Sequence, residues 1–97
     1  MKLLEQLCHD VGAHLITTAK DLSVAVETFH PFFDRAFELT SQISLLVRNQ
    51  DWREIEHVLQ CLKDHYRNTR VEDMAAMAIK RQIEIALVTV RGKCANL

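Results

Sequence analysis

Residues 74–91 read MAAMAIKRQIEIALVTVR, and the fold turns on whether the second half of this stretch is helix or strand. Ile83 to Val90, IEIALVTV, is rich in β-branched residues and would pass for a strand on propensity alone. The rest of the chain has a helical pattern, so a lone strand would find no partner for its backbone groups, and the stretch is read as helix. At about 100° per residue, Ala75, Ala76, Ile79, Ile83, Ala86, Leu87 and Val90 gather on one broad side, interrupted only by Glu72. Met74, Met77, Ala78, Ile85 and Val88 gather on a second side, with Arg81 among them. Two polar seams hold these sides apart: Asp73, Lys80, Glu84 and Arg91 on one, Gln82 and Thr89 on the other. A surface helix normally carries a single apolar stripe. A helix with two is either central in its own domain or completes a core with another chain, and the adaptable thioethers of Met74 and Met77 favour the partner.

Working back from this helix, whose expected span is about 70–91, the Arg67-Asn68-Thr69-Arg70 step is a short polar link. Thr69 with Glu72 and Asp73 behind it has the form of a helix start, and Gly92 that of a stop. Before the link, Trp52, Ile55, Val58, Leu59, Leu62 and Tyr66 form the stripe of a third helix over about 52–67. Asp51 is its expected N-cap with Glu54 three residues on, and Asn49-Gln50-Asp51 is a tight connection. A second helix is expected from His30-Pro31 to about Arg48, with Phe32 or Phe33, Ala36, Leu39, Ile43 and Leu46 facing inward. Phe29, Phe32, Phe33 and Phe37 cluster around Pro31 and are read as a helix corner folded into the core, a binding ridge being the alternative. Residues 2–29 are helical on Leu4, Cys8, Val11, Leu15, Ala19, Leu22, Val26 and Phe29. Gly12 and the Thr18/Asp21 pair leave open whether they form one helix or two. Connections this short make consecutive helices antiparallel, so the expected fold is all-α: an antiparallel helical bundle, or stacked helical hairpins, of about four helices.

The 97 residues suffice for a single helical domain, 1–97. With 48% hydrophobic and 26% charged residues, two Gly and one Pro, the composition excludes disorder and loop-rich scaffolds. No apolar run approaches the ~20 residues of a membrane span. Glu5, His9 and Asp10 stand where a signal peptide would have its apolar centre. Cys8, Cys61 and Cys94 are an odd, widely spaced set that suits a reducing compartment, so a cytoplasmic location is expected. Residues 1–47 carry 3 Lys and Arg against 6 Asp and Glu, and residues 48–97 carry 9 against 7, an asymmetry too small and too interleaved for a nucleic-acid footprint.

Three constellations bear on chemistry. His57, Cys61 and His65 lie on one line of the third helix, with Glu54 near it, but the line runs beside solvent and a zinc site needs more converging ligands. Cys8-His9-Asp10 has nucleophile, base and acid types, yet neighbours along a helix point apart. No phosphate-binding loop, dinucleotide fingerprint, nucleophile elbow or H-E-x-x-H motif occurs. The expectation is therefore no catalysis, metal, cofactor or small-molecule substrate. Arg67, Arg70, Lys80 and Arg81 would serve an alternative, a small nucleic-acid-associated regulator, although Asp64, Glu72 and Asp73 dilute that patch.

Residues 39–62 resemble one hairpin of the tetratricopeptide repeat. Leu46, Asp51, Trp52 and Leu59 stand where the repeat has a large apolar residue, the turn acid, an aromatic and another large apolar residue. Ile43, Ile55 and Leu62 depart from its small-residue positions, and no proline closes the unit near Arg67. In outline the chain is similar to small cytoplasmic chaperones and co-chaperones of type III secretion systems. That resemblance implies a protein client and neither cofactor nor catalysis. The functional expectation is a protein-binding helical module whose face of Met74, Met77, Arg81, Ile85 and Val88 buries against a client's amphipathic helix or a copy of itself, with Arg81 and Glu84 as the polar rim.

Overall fold

A computed structural model describes the backbone of residues 2–21, 26–68 and 74–96, and the side chains of 2–14, 34–68 and 74–96. The described residues form four α-helices and no strand: α1 Lys2–Asp21, α2 Val26–Asn49, α3 Trp52–Asn68 and α4 Met74–Ala95. The β-branched run 83–90 lies inside α4, because Ile83, Ala86, Leu87 and Val90 are buried together at helical spacing. Consecutive helices pack on one another and α1 also packs on α4, closing a four-cornered bundle. Its antiparallel sense shows in the ion pairs Lys63–Glu84 and Glu56–Arg91, which climb α3 as they descend α4.

The α2–α3 corner is built from local chemistry. Gln50 adopts a left-handed φ of 54°. Its N–H donates to the Val47 carbonyl (3.2 Å), and that of Asp51 donates to the Leu46 carbonyl (3.2 Å), the paired bonds of a Schellman C-cap. Asp51 then caps α3, its Oδ1 accepting from the Glu54 amide at 3.3 Å. A glutamine in the left-handed region is strained where glycine would not be. Gln50→Gly should therefore raise stability by about 0.5–1 kcal/mol, read as a higher urea midpoint at unchanged slope.

The core follows the expected stripes of α3 almost residue for residue: Ile55, Val58, Leu59, Leu62 and Tyr66 are buried, with Trp52 half-covered at the end. Ala36, Leu39 and Ile43 fill it from α2. In α1 the buried set is Leu4, Leu7, Val11 and His14, while Cys8 is only half-buried. Leu7 and His14 step from Leu4 and Val11 by three, a tighter seam than the one read through Cys8.

Several boundaries differ from the sequence reading. Of residues 2–29, 2–21 lie in α1 and 26–29 in α2, and the question whether they form one helix or two turns on 22–25, which lie outside the described residues. α2 begins at Val26 and runs through His30-Pro31, so proline stands just past the first turn and forgoes one amide donor without ending the helix. α4 likewise continues through Gly92, whose φ is not positive. Another turn is rewarded there because Lys93 lies over the Trp52 ring at 4.8 Å and Cys94 packs against the core. The expected start near Thr69 falls outside the described residues, as do the side chains of Phe29, Phe32 and Phe33. Phe37 does not enter the core: it is 68% exposed, because the inward line of α2 passes through its neighbour Ala36. Ala75, at the edge of the core face of α4, is also exposed.

Candidate functional site

α4 is tied into the bundle on three sides. Its core face, Ala76, Ile79, Ile83, Ala86, Leu87 and Val90, is buried. One polar seam meets α3: Glu84 pairs with Lys63 at 3.3 Å, and Arg91 donates from Nε to Glu56 Oε1 at 3.2 Å and from its amino group to Gln60 Oε1 at 3.4 Å. The other seam meets α1, where Gln82 Nε2 donates to Asp10 Oδ2 at 2.8 Å. The seams that separate the two apolar sides in the sequence are thus the edges along which the neighbouring helices grip α4.

The fourth side is uncovered. Met74 (88% exposed), Met77, Ile85 and Val88 stand on it, and they are four of the six exposed large apolar side chains among the described residues. The other two, Phe37 and Leu45 on α2, lie two turns apart with exposed Ser41 between and form no continuous strip among the described residues. Met74, Met77, Ala78, Arg81, Gln82 and Ile85 line a shallow groove of about 480 Å³. Fully covering each Met, Ile or Val is worth about 1.5–3 kcal/mol, so the strip is a sizeable unrealised burial. Arg81 is exposed in its midst and has no ion pair among the described residues. The structure therefore brings all five expected partner-binding residues onto one surface. Two that the sequence reading did not include extend it, Gly92 and Ala95, both exposed. Their signal was the unbroken helical spacing, hidden by taking Gly92 as a stop.

The Gln82–Asp10 contact has a measurable signature. The hydrogen bond from Gln82, helped by Gln6 and His9, holds the Asp10 carboxyl below its ordinary value. A lowered folded-state pKa contributes stability above the unfolded value near ~4, which is lost as pH falls through the folded value. Gln82→Ala should remove most of that contribution. The variant's melting temperature should fall below the parent's at neutral pH and converge on it as pH drops below about 4, checked by thermal melts across that range.

The remaining candidates are not assembled. His57 Nε2 lies 3.9 Å from Cys61 Sγ, but His65 sits edge-on to the Tyr66 ring. Among the described residues no group of three or more His, Cys, Asp and Glu is placed to hold a metal ion. Cys8 turns toward α2, its thiol donating to the Thr40 carbonyl at 3.7 Å, whereas Asp10 turns toward α4. Burial pushes the Cys8 thiol up, and burial with the Glu56 carboxylate does the same to Cys94. Neither is an activated nucleophile. Of the basic residues, Arg67 is paired with Asp64 at 3.2 Å, Arg70 lies outside the described residues, and Lys80 and Arg81 face different sides. No helix among the described residues is long and apolar enough to cross a membrane. The chain matches no protein-family model, and comparison with curated proteins and with solved structures returns no match.

Proposed function

We propose that this chain is a non-enzymatic protein-binding helical module, a cytoplasmic chaperone, co-chaperone or adaptor that holds an apolar helical segment of another protein against α4. The observation that carries this reading is the uncovered strip of Met74, Met77, Ile85 and Val88 on a helix whose opposite side is already fully buried. A partner helix laid along it would meet an apolar centre flanked by polar edges, the arrangement that helix-on-helix recognition uses. Tying α4 to α3 and α1 through its seams presents the strip on a rigid element, so little ordering cost falls on this side of the complex. The tetratricopeptide likeness of residues 39–62 agrees with a client-holding role and rests on those residues alone.

The test is to place Asp at Met77 and at Val88 separately and to follow folding by circular dichroism and apolar surface by dye fluorescence and light scattering. Both variants should fold, bind less dye and scatter less at high concentration than the parent chain. Unfolding by either substitution would mean that this side is internal, and the reading would fall.

A further inference from the structure

From Met74 the strip steps alternately by four and three residues, through Ala78, Arg81, Ile85 and Val88 to Gly92, the seam spacing of a two-helix coiled coil. We infer that its occupant is an amphipathic helix of a different protein, carrying apolar residues at this spacing and an Asp or Glu in the seam opposite Arg81. This deepens the protein-binding reading above and rests on it.

The argument is one of charge. The other charged groups bordering α4 toward its C-terminus are engaged within the chain: Glu84 with Lys63, Arg91 with Glu56, and Lys93 over the Trp52 ring. Arg81 alone stands inside the apolar strip, with no carboxylate in ion-pair contact among the described residues and the nearest along α4, Glu84, held by Lys63. Covering a guanidinium with apolar atoms strips its water and returns nothing, whereas a facing carboxylate can accept two of its N–H groups. A second copy is poorly equipped to supply that carboxylate. The only one its α4 carries over 74–96 is Glu84, which is already paired with Lys63 at 3.3 Å, and laid parallel in register two copies stack Arg81 on Arg81. A phosphate-bearing surface would reward many free cations, and the strip offers one between Met77 and Val88. Gly92 leaves that end of the strip open, since nothing in the chain approaches within 4 Å of where its Cβ would stand.

The experiment uses the full chain and three synthetic three-heptad peptides, identical but for Glu, Leu or Lys at the central seam position, with binding read by fluorescence anisotropy at physiological salt. The Glu peptide should bind about tenfold more tightly than the Leu peptide, a difference of about 1.4 kcal/mol, and the Lys peptide most weakly. Arg81→Glu should reverse the order of the Glu and Lys peptides, and Val88→Asp should abolish binding of all three while leaving the helical spectrum intact. If the Leu peptide binds as well as the Glu peptide and Val88→Asp still abolishes both, the face holds helices without reading charge: this inference falls and the protein-binding reading stands. A defined dimer in light scattering that Val88→Asp dissolves would make the occupant a second copy, and preference for phosphatidylserine vesicles over the Glu peptide would make it a membrane; either overturns the inference. Binding of no peptide overturns both.

Discussion

Leu87→Asp is expected to unfold the protein at room temperature, whereas Val88→Asp, one residue along the same helix, should leave its stability within about 0.5 kcal/mol of the parent. Leu87 is 1% exposed and faces the core between α3 and α1; Val88 is 70% exposed on the opposite strip. Replacing Leu87 forfeits about 1.5–3 kcal/mol of burial. It also leaves a carboxylate with no cation in a dry interior, which costs several kcal/mol more. The sum rivals the whole stability of a small domain, about 5–15 kcal/mol. At Val88 the new carboxylate stays in water. Valine and aspartate have similar helix propensities, and the unfavourable dipole of the helix C-terminal half is offset by Arg91 one turn on. Urea titrations followed by circular dichroism measure both. Equal losses at the two positions would show that the strip is packed in the folded chain and has nothing to offer a partner.

The division of α4 into two apolar sides was legible in the sequence because it depends only on angle around a helix, which the spacing of apolar residues fixes; which side stays uncovered was not, since that depends on where α1 and α3 lie. The face of α3 was legible by the same spacing, where Asp51 marks the start and Ile55, Val58, Leu59, Leu62 and Tyr66 set the face. The misreadings come from residues whose local preference is weaker than the tertiary contacts around them. Gly92 is a good stop in isolation, but Lys93 on Trp52 and Cys94 on the core hold the helix together for another turn. Pro31 reads as a beginning, yet one missing amide just past the first turn does not outweigh a helix continuing to Asn49. Burial of His14 could not be read from periodicity, since a polar residue at a core position signals nothing until its partner is known, and that partner is Tyr66 on a different helix. For the same reason the sequence showed the polar seams of α4 but not what they do: Gln82 finds Asp10 and Arg91 finds Glu56 only when the bundle closes.

Tyr66→Ala is expected to cost about 3–5 kcal/mol, the largest loss from any uncharged truncation in this core. Its ring is completely buried near the end of α3, with the His14 ring at 6.1 Å from α1 and the His65 ring edge-on at 6.3 Å. The phenol oxygen lies 3.5 Å from His14 Nδ1. No other aromatic of the described residues is fully inside, since Trp52 is half-covered and Phe37 is exposed. Among the described residues, no other Phe, Tyr or Trp ring is therefore buried beside it to fill the space left behind. Tyr66→Phe keeps the ring and should cost only about 1 kcal/mol, the net worth of a buried hydrogen bond. The pair separates volume from polarity, and denaturant midpoints at constant slope read it out. The effect should also reach the α4 strip. Tyr66 joins α1 to α3 across the diagonal of the bundle, and those are the two helices that hold α4 by its seams. Amide exchange along α4 in Tyr66→Ala should accelerate together with that of α1 and α3, while Tyr66→Phe should leave the three helices protected. If α4 kept its protection in Tyr66→Ala while α1 lost its own, the strip would be held by α3 alone.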